Sequence, residues 1–316
     1  MLLVAPIALA VMLASCAAQR GETGPTKPTS PSHKGKIAFA RSDNQAGDAD
    51  IFVVEPDGSG LSKLATKPAL DGFPAWSPNG ERVAFEASEG PNSLNIDIYV
   101  MNADGSGLKR ITREPTLDRM PSWSPDGTKI AFMKDERAIQ EPETGDVYTI
   151  RVDGTDLRQL TDDGLDEYPA WSTDGKTVAF SRLTEANGRI YSVNAQGGGL
   201  RKLTDPSRGF WDSEPSWSPD GTKIAFTRVS GKRPNRPDVF TMNADGTNTK
   251  KLTAKTEGAY SPDFSPDGKR IVFVGWEGGN KLAVMNSDGT NVRRLTSDSK
   301  GIVDETAPDW QPLPSS

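Results

Sequence analysis

The chain has 316 residues, a quarter of them charged, and a formal net charge of −6. An acidic balance of this kind argues against general nucleic-acid binding, which calls for a basic face. The single cysteine, Cys16, excludes an intramolecular disulfide, and with one histidine, His33, the chain cannot build a zinc site from several His and Cys.

Residues 2–14 form an uncharged apolar run of 13. That is too short for a membrane span and right for the core of a signal peptide. The run ends in Leu13-Ala14-Ser15-Cys16, which resembles the bacterial lipobox. The resemblance implies removal of residues 1–15 as a signal peptide and lipid modification of Cys16. It places the chain outside the cytoplasm, anchored to the cell envelope on the periplasmic or outer face of a membrane. A plain secretory signal with an incidental cysteine is the other reading. Residues 16–34 carry Pro25, Pro28 and Pro31 among Thr and Ser and read as an extended linker. At ~3.1 Å per residue such a spacer reaches roughly 50 Å. His33 falls within it, as a solvated linker residue.

From residue 35 a repeat takes over. Trp76, Trp123, Trp171, Trp217, Phe264 and Trp310 stand 47, 48, 46, 47 and 46 residues apart. The second copy shows the pattern. Pro74-Ala75-Trp76 reads as a short strand, and Ser77-Pro78-Asn79-Gly80 turns it into Arg82-Val83-Ala84-Phe85. Pro supplies a fixed φ for the first corner of the turn and Gly the positive φ that closes it. After a loop comes Asp97-Ile98-Tyr99-Val100-Met101. Asp104-Gly105 then makes a hairpin turn into Lys109-Arg110-Ile111-Thr112. Each repeat therefore predicts four strands.

The second strands read Ile37-Ala38-Phe39, Val83-Ala84-Phe85, Ile130-Ala131-Phe132, Val178-Ala179-Phe180, Ile224-Ala225-Phe226 and Ile271-Val272-Phe273. Residues two apart share a face, so each sheet shows a bulky face and a small one. Neither face can be buried within one repeat, and stacked neighbours are needed. Four-stranded sheets stacked in a ring make an all-β propeller. The first repeat begins at Lys36-Ile37 without a Pro-x-Trp strand, and the last ends at Pro308-Asp309-Trp310 without an Ile-Ala-Phe strand. The two ends complete one another, which predicts a six-bladed β-propeller over 35–312, closed by pairing of its N- and C-terminal strands, with 313–316 as a tail.

The recurring Pro-x-Trp-Ser-Pro-Asp-Gly, Ile-Ala-Phe, Asp-Ile-Tyr, Asp-Gly and Leu-Thr elements resemble the WD40-like repeats of the TolB family, periplasmic bacterial propellers. The match covers about residues 35–312. It implies a propeller outside the cytoplasm whose Pro-x-Trp strands are innermost and line a central channel. The N-terminal ends of those strands, with the loops between second and third strands, then open on one face.

Five residues before each anchor stand Asp71, Asp118, Asp166, Asp212, Ala259 and Glu305. Five carboxylates around one mouth would suit a cation, a basic peptide or a partner's Lys and Arg. Oxygen-only ligands would suit Ca²⁺. The other reading is that each acid caps a turn through backbone hydrogen bonds. The repeated turn acids, such as Asp126 and Asp104, are assigned to their hairpins. Two Trp lie off the repeat. Trp211 directly precedes Asp212 in an expected loop, and Trp276 lies in the short loop of the sixth repeat. Both are candidates for contact with a partner or sugar, or for covering core edges. The loops differ most at 133–146, with Glu136, Glu141, Glu143 and Asp146, and at 228–237, with Arg228, Lys232, Arg233 and Arg236. Variation on a rigid scaffold is where recognition sits.

The repeat region holds no His and no Cys, so Ser-His-Asp and Cys-His catalysis are excluded there. The lyase-type propellers that the repeats also resemble use His with a metal, and those His are absent here. No Gly-rich phosphate loop follows a strand into a helix. Only carboxylate chemistry is left for an enzyme. The sequence thus points to a lipid-anchored scaffold with no cofactor. It would bind an envelope protein, a peptide or an envelope glycan at the channel mouth through Asp71, Asp118, Asp166, Asp212, Glu305, Trp211 and Trp276. The alternative is a carboxylate-dependent, Ca²⁺-assisted hydrolase of envelope or extracellular polymers.

Overall fold

The structure is a computed structural model that describes residues 35–43, 49–64, 70–88, 90, 95–136, 145–162, 165–184, 187–253, 258–275, 280–297 and 303–313. The expected signal peptide 1–15, Cys16, the linker 16–34 and Trp276 lie outside the described residues.

Among the described residues every regular element is a strand, in two sheets of four and two of eight; each sheet of eight joins two antiparallel groups of four by one parallel pair, Ile96 with Leu117 and Gly188 with Trp211. Unit 1 takes its inner strand from the end of the chain. Val303–Trp310 pairs with Ile37–Asp43, which pairs with Ala49–Val54 and then Ser62–Lys63. Ile37 stands opposite Trp310 and Asp43 opposite Val303. Unit 2 runs Leu70–Trp76, Arg82–Ser88, Ile96–Asn102, Lys109–Arg110, and unit 3 runs Leu117–Trp123, Lys129–Asp135, Asp146–Arg151, Arg158–Gln159. Unit 4 is Asp166–Trp171, Thr177–Leu183, Gly188–Asn194, Arg201–Lys202, and unit 5 is Phe210–Trp217, Lys223–Ser230, Arg233–Asn243, Lys250–Lys251. Unit 6 is Ala259–Phe264, Arg270–Gly275, Lys281–Asn286, Arg293–Arg294.

The turn chemistry read from the sequence is in place. Asp126 accepts from the Ser124 hydroxyl at 2.6 Å and the Thr128 amide at 3.0 Å, and Gly127 takes φ 67°. Asp104 accepts from the amide and hydroxyl of Ser106 at 2.9 and 2.6 Å, which hold its carboxylate below the usual range. These acids are committed to their hairpins.

Large packs against small, as the second strands predict, and the core is divided among six clusters, one at each junction of units. Ala38 and Ala40 of unit 1 meet Val83 and Phe85 of unit 2. Ala84 meets Ile130 and Phe132, Ala131 meets Val178 and Phe180, Ala179 meets Ile224 and Phe226, and Ala225 meets Ile271 and Phe273. The last cluster joins unit 6 to unit 1, Val272 and Val274 against Ile37 and Phe39. The six Phe are at most 1 % exposed. Each contributes on the order of 2–3 kcal/mol by leaving water.

The inner strands are longer than the Pro-x-Trp stubs expected from the sequence, and each is interrupted by a bulge. Pairing slips between Gly72 and Ala75, Arg119 and Ser122, Glu167 and Ala170, Ser213 and Ser216, and Tyr260 and Asp263. In unit 1 the slip falls opposite Ala38 and Ala40. Proline suits a bulge because it has no N–H to give the ladder. The residue before each proline is not glycine, yet its φ is positive: Phe73 (47°), Met120 (56°), Tyr168 (52°), Glu214 (55°), Ser261 (50°) and Ala307 (49°). A residue before proline is normally extended, and a left-handed one costs about 1–2 kcal/mol.

Two local expectations are corrected. Residues 228–237 are not a free loop, because Lys223–Ser230 and Arg233–Asn243 extend as a hairpin with Ser230 opposite Arg233. Trp211 is likewise within a strand, paired with Val229.

Candidate functional site

A central cavity of about 320 Å³ is lined by the inner strands of all six units. The six left-handed residues stand around it, and their side chains differ from repeat to repeat. One arc is apolar: Phe73, Met120 and Tyr168. The Phe73 and Tyr168 rings lie 5.9 Å apart at 59°. Arg119 stands over Phe73 with its guanidinium carbon 5.9 Å from the ring centroid. The opposite arc is polar or small: Glu214, Ser261 and Ala307. Glu214 accepts from the Ser261 amide and hydroxyl, both at 2.8 Å, and from Thr227 Oγ1 at 2.5 Å. Burial and the nearby Glu214 and Glu167 carboxylates hold the Tyr168 phenol well above its ordinary value, so it stays a hydrogen-bond donor.

The bulges are fixed from behind. Glu86 accepts from the Met120 amide at 2.9 Å and from Arg119 at 3.3 Å. Ser181 Oγ accepts from the Glu214 amide at 3.2 Å. Side chains of one unit thus hold the strained backbone of the next.

Below this ring Asp263 and Asp309 take the middle position of Pro-x-Trp, where other repeats have Ala or Ser. Asp263 accepts from Ser216 Oγ at 2.7 Å and the Trp310 amide at 2.8 Å, and Asp309 from the Trp76 amide at 2.7 Å. Burial pushes Asp263 up to about 6, and burial together with the Asp263 charge pushes Asp309 well above the carboxylate range.

The five carboxylates expected at the channel mouth are elsewhere. None lines the cavity, and each is at most 1 % exposed. They sit in the seams between units, facing the second strand of their own unit. Asp166 takes a two-pronged contact from Arg182 at 2.6 and 2.7 Å, and Asp212 one from Arg228 at 2.5 and 2.8 Å. Those cations stack on Phe180 and Tyr191, and on Phe226 and Phe240. Asp118 has Lys134 at 3.9 Å and Thr116 Oγ1 at 2.9 Å, and burial raises it to about 6. Glu305 has Arg41 at 3.5 Å, the Leu282 amide at 3.1 Å and a very short hydrogen bond from Thr296. Asp71 alone has no cation, since Ala87 stands opposite it. In unit 6 the pair is absent on both sides, as Ala259 faces Gly275. The five acids are therefore buried seam carboxyls, four of them beside a cation, and not a ring open to the cavity. For Asp118, Asp166 and Asp212 the signal was present in the sequence as a base 16 residues on, Lys134, Arg182 and Arg228.

Trp211 is half-buried over the unit 5 hairpin, where a Cβ on Gly231 would come within 2.8 Å of its ring. It does not line the cavity. Among the described residues no group of three His, Cys, Asp or Glu is placed to hold a metal ion.

Solved structures share this fold. TolB from Acinetobacter baumannii is 23 % identical, with a TM-score of 0.73 over 88 % of this chain and 67 % of that one. Putative TolB from Agrobacterium tumefaciens is 21 % identical, with a TM-score of 0.64 over 83 % and 88 %. An oligogalacturonate lyase in complex with manganese is 15 % identical, with a TM-score of 0.59 over 84 % and 75 %. Comparison with curated protein sequences gives no match. The sequence pattern of the TolB beta propeller domain matches residues 26–168 and 161–313. The chain belongs to the TolB β-propeller domain family.

Proposed function

We propose that this protein is an exported, lipid-anchored scaffold that binds an envelope protein, peptide or glycan in its central cavity. In this reading Cys16 carries the anchor. The six units are blades of one ring, closed where Val303–Trp310 pairs with Ile37–Asp43. One observation carries the binding role. Six repeats keep the same strained bulge around the cavity while placing a different side chain on each. Strain held at equivalent positions by neighbouring side chains is a mark of a functional site. The Phe73, Met120 and Tyr168 arc suits an apolar or aromatic group. The Glu214 side and the Asp263–Asp309 floor suit a hydrogen-bond donor or a cationic group.

The test is purification of the lipidated protein from its own membranes after mild cross-linking. A partner is expected with the parent and is expected to disappear from Phe73→Asn/Tyr168→Asn. Asn tolerates the left-handed backbone, so this variant should melt close to the parent. A partner retained by an equally stable variant would move the site elsewhere.

The Asp263–Asp309 pair favours a second reading, a carboxylate-dependent hydrolase. Two carboxyls with separated proton affinities on a cavity floor are what acid–base hydrolysis needs. Polymer degradation lost in Asp263→Asn would support it.

A further inference from the structure

The junction of units 1 and 2 lacks two polar links found elsewhere, one present at the five other junctions and one at four of them. The first link is a belt at the outer edge. Lys109 reaches the Val152 carbonyl at 3.1 Å, Arg158 that of Gln196 at 3.3 Å, Arg201 that of Asp245 at 2.8 Å and Lys250 that of Asp288 at 3.3 Å. Arg293 reaches the Pro56 carbonyl. Each binds the next unit's hairpin. Unit 1 has Ser62 at this place. The second link is the seam acid with its cation. At the unit 1–unit 2 junction the acid, Asp71, is present without the base.

Asp71 is 1 % exposed, and neither of its carboxyl oxygens finds a hydrogen-bond partner among the described residues. The charged groups on the strands packed against it are already engaged. Asp50 and Lys63 are joined to each other at 2.6 Å. Arg41 serves Glu305, and Glu86 serves Arg119 and the Met120 amide. A buried carboxylate with no partner is costly, and it avoids the cost by keeping its proton. Burial first, then the Asp50 charge, pushes the Asp71 carboxyl up to about 7 against the pull of Lys63.

We propose that the junction of units 1 and 2 is a pH-controlled opening, held while Asp71 is protonated and loosened when it ionises. The apolar cluster of Ala38, Ala40, Val83 and Phe85 and the Trp76–Asp309 hydrogen bond keep the junction closed when Asp71 is neutral. Ionisation there leaves a buried charge with no cation beside it, whereas Asp118, Asp166, Asp212 and Glu305 have cations and unit 6 has no seam acid. The cavity carboxyls Asp263 and Asp309 are also raised by burial but have hydrogen-bond partners. The sign follows from linkage. The proton is held more tightly in the closed state than in the open one, where the carboxyl returns to its ordinary value near 3.8. The stabilisation is full below that value and is lost as pH rises toward 7, with little change above.

Hydrogen exchange of the full chain at pH 6 and pH 8, corrected for the intrinsic pH dependence of exchange, tests this. Opening of strands Leu70–Trp76 and Ala49–Val54 is expected to rise about tenfold between the two, the factor given by a proton affinity near 7 in the closed state. Strands of units 3–5, where Asp118 sits at about 6, are expected to change by no more than about twofold. Asp71→Asn removes the titrating group and should flatten the difference. Ala87→Lys supplies the cation that Lys134 gives in unit 3 and should flatten it too, with Asp71 in place. A parent with no pH-dependent rise at this junction overturns the proposal, as does an equal rise in every unit. A rise that persists unchanged in both variants overturns it as well.

Discussion

At the scale of single residues, the seam carboxylates show how a repeated acid is read differently once its surroundings are known. Asp166 is buried, which raises its proton affinity, and Arg182 pulls against that rise with a two-pronged contact while its guanidinium covers two aromatic rings. Removing one partner of such a pair costs more than removing both, because the survivor is left buried and uncompensated. Arg182→Ala is therefore expected to lower stability by about 3–5 kcal/mol in chemical denaturation. The double change Asp166→Ala/Arg182→Gly copies the Ala259/Gly275 pair of unit 6 and should recover much of that loss. A double variant no better than the single would show that the pair contributes by packing and not by charge compensation.

The elements of this fold are set by short-range chemistry, and glycines at the third-to-fourth-strand turns show where that chemistry meets packing. A Cβ on Gly246, at φ 86°, would lie 2.3 Å from the Leu203 carbonyl oxygen of the neighbouring unit. Gly197 has the same role in unit 4, at φ 89°, but nothing lies within 4 Å of its Cβ position. Gly197→Ala should cost only the backbone strain, about 1–2 kcal/mol. Gly246→Ala should cost clearly more, since backbone must move as well, and paired thermal melts would read the difference. Equal losses would mean that the turns do not transmit contact between units. The strands, their turns and the large-against-small packing were legible in the sequence because each depends on residues close together in the chain. The bulges were not, since Phe73 or Tyr168 before proline reads as ordinary extended backbone. Nor were the ion pairs, because Arg228 looks like a loop cation until the hairpin places it opposite Asp212.

On the scale of the whole molecule, stability is distributed over six junctions and has no single centre. The junction of unit 6 with unit 1 depends on the last strand, since Trp310 packs with Ile37 and Phe39. A chain ending at residue 302 would expose that face and leave Ile37–Asp43 without its inner partner. It is expected to lose the cooperative melt or to aggregate, seen by scanning calorimetry and gel filtration. The same layout divides labour between seam and cavity. Seam residues such as Asp118 are closed off from the cavity, while Phe73 and Tyr168 line it and differ from repeat to repeat. The most direct measurement is retention of the cross-linked envelope partner by two variants side by side, Tyr168→Asn in the cavity and Asp118→Asn in a seam. Partner lost from the first and kept by a folded second is the predicted result. Partner kept by the first and lost from the second, with both folded, would contradict the assignment and return recognition to the carboxylates.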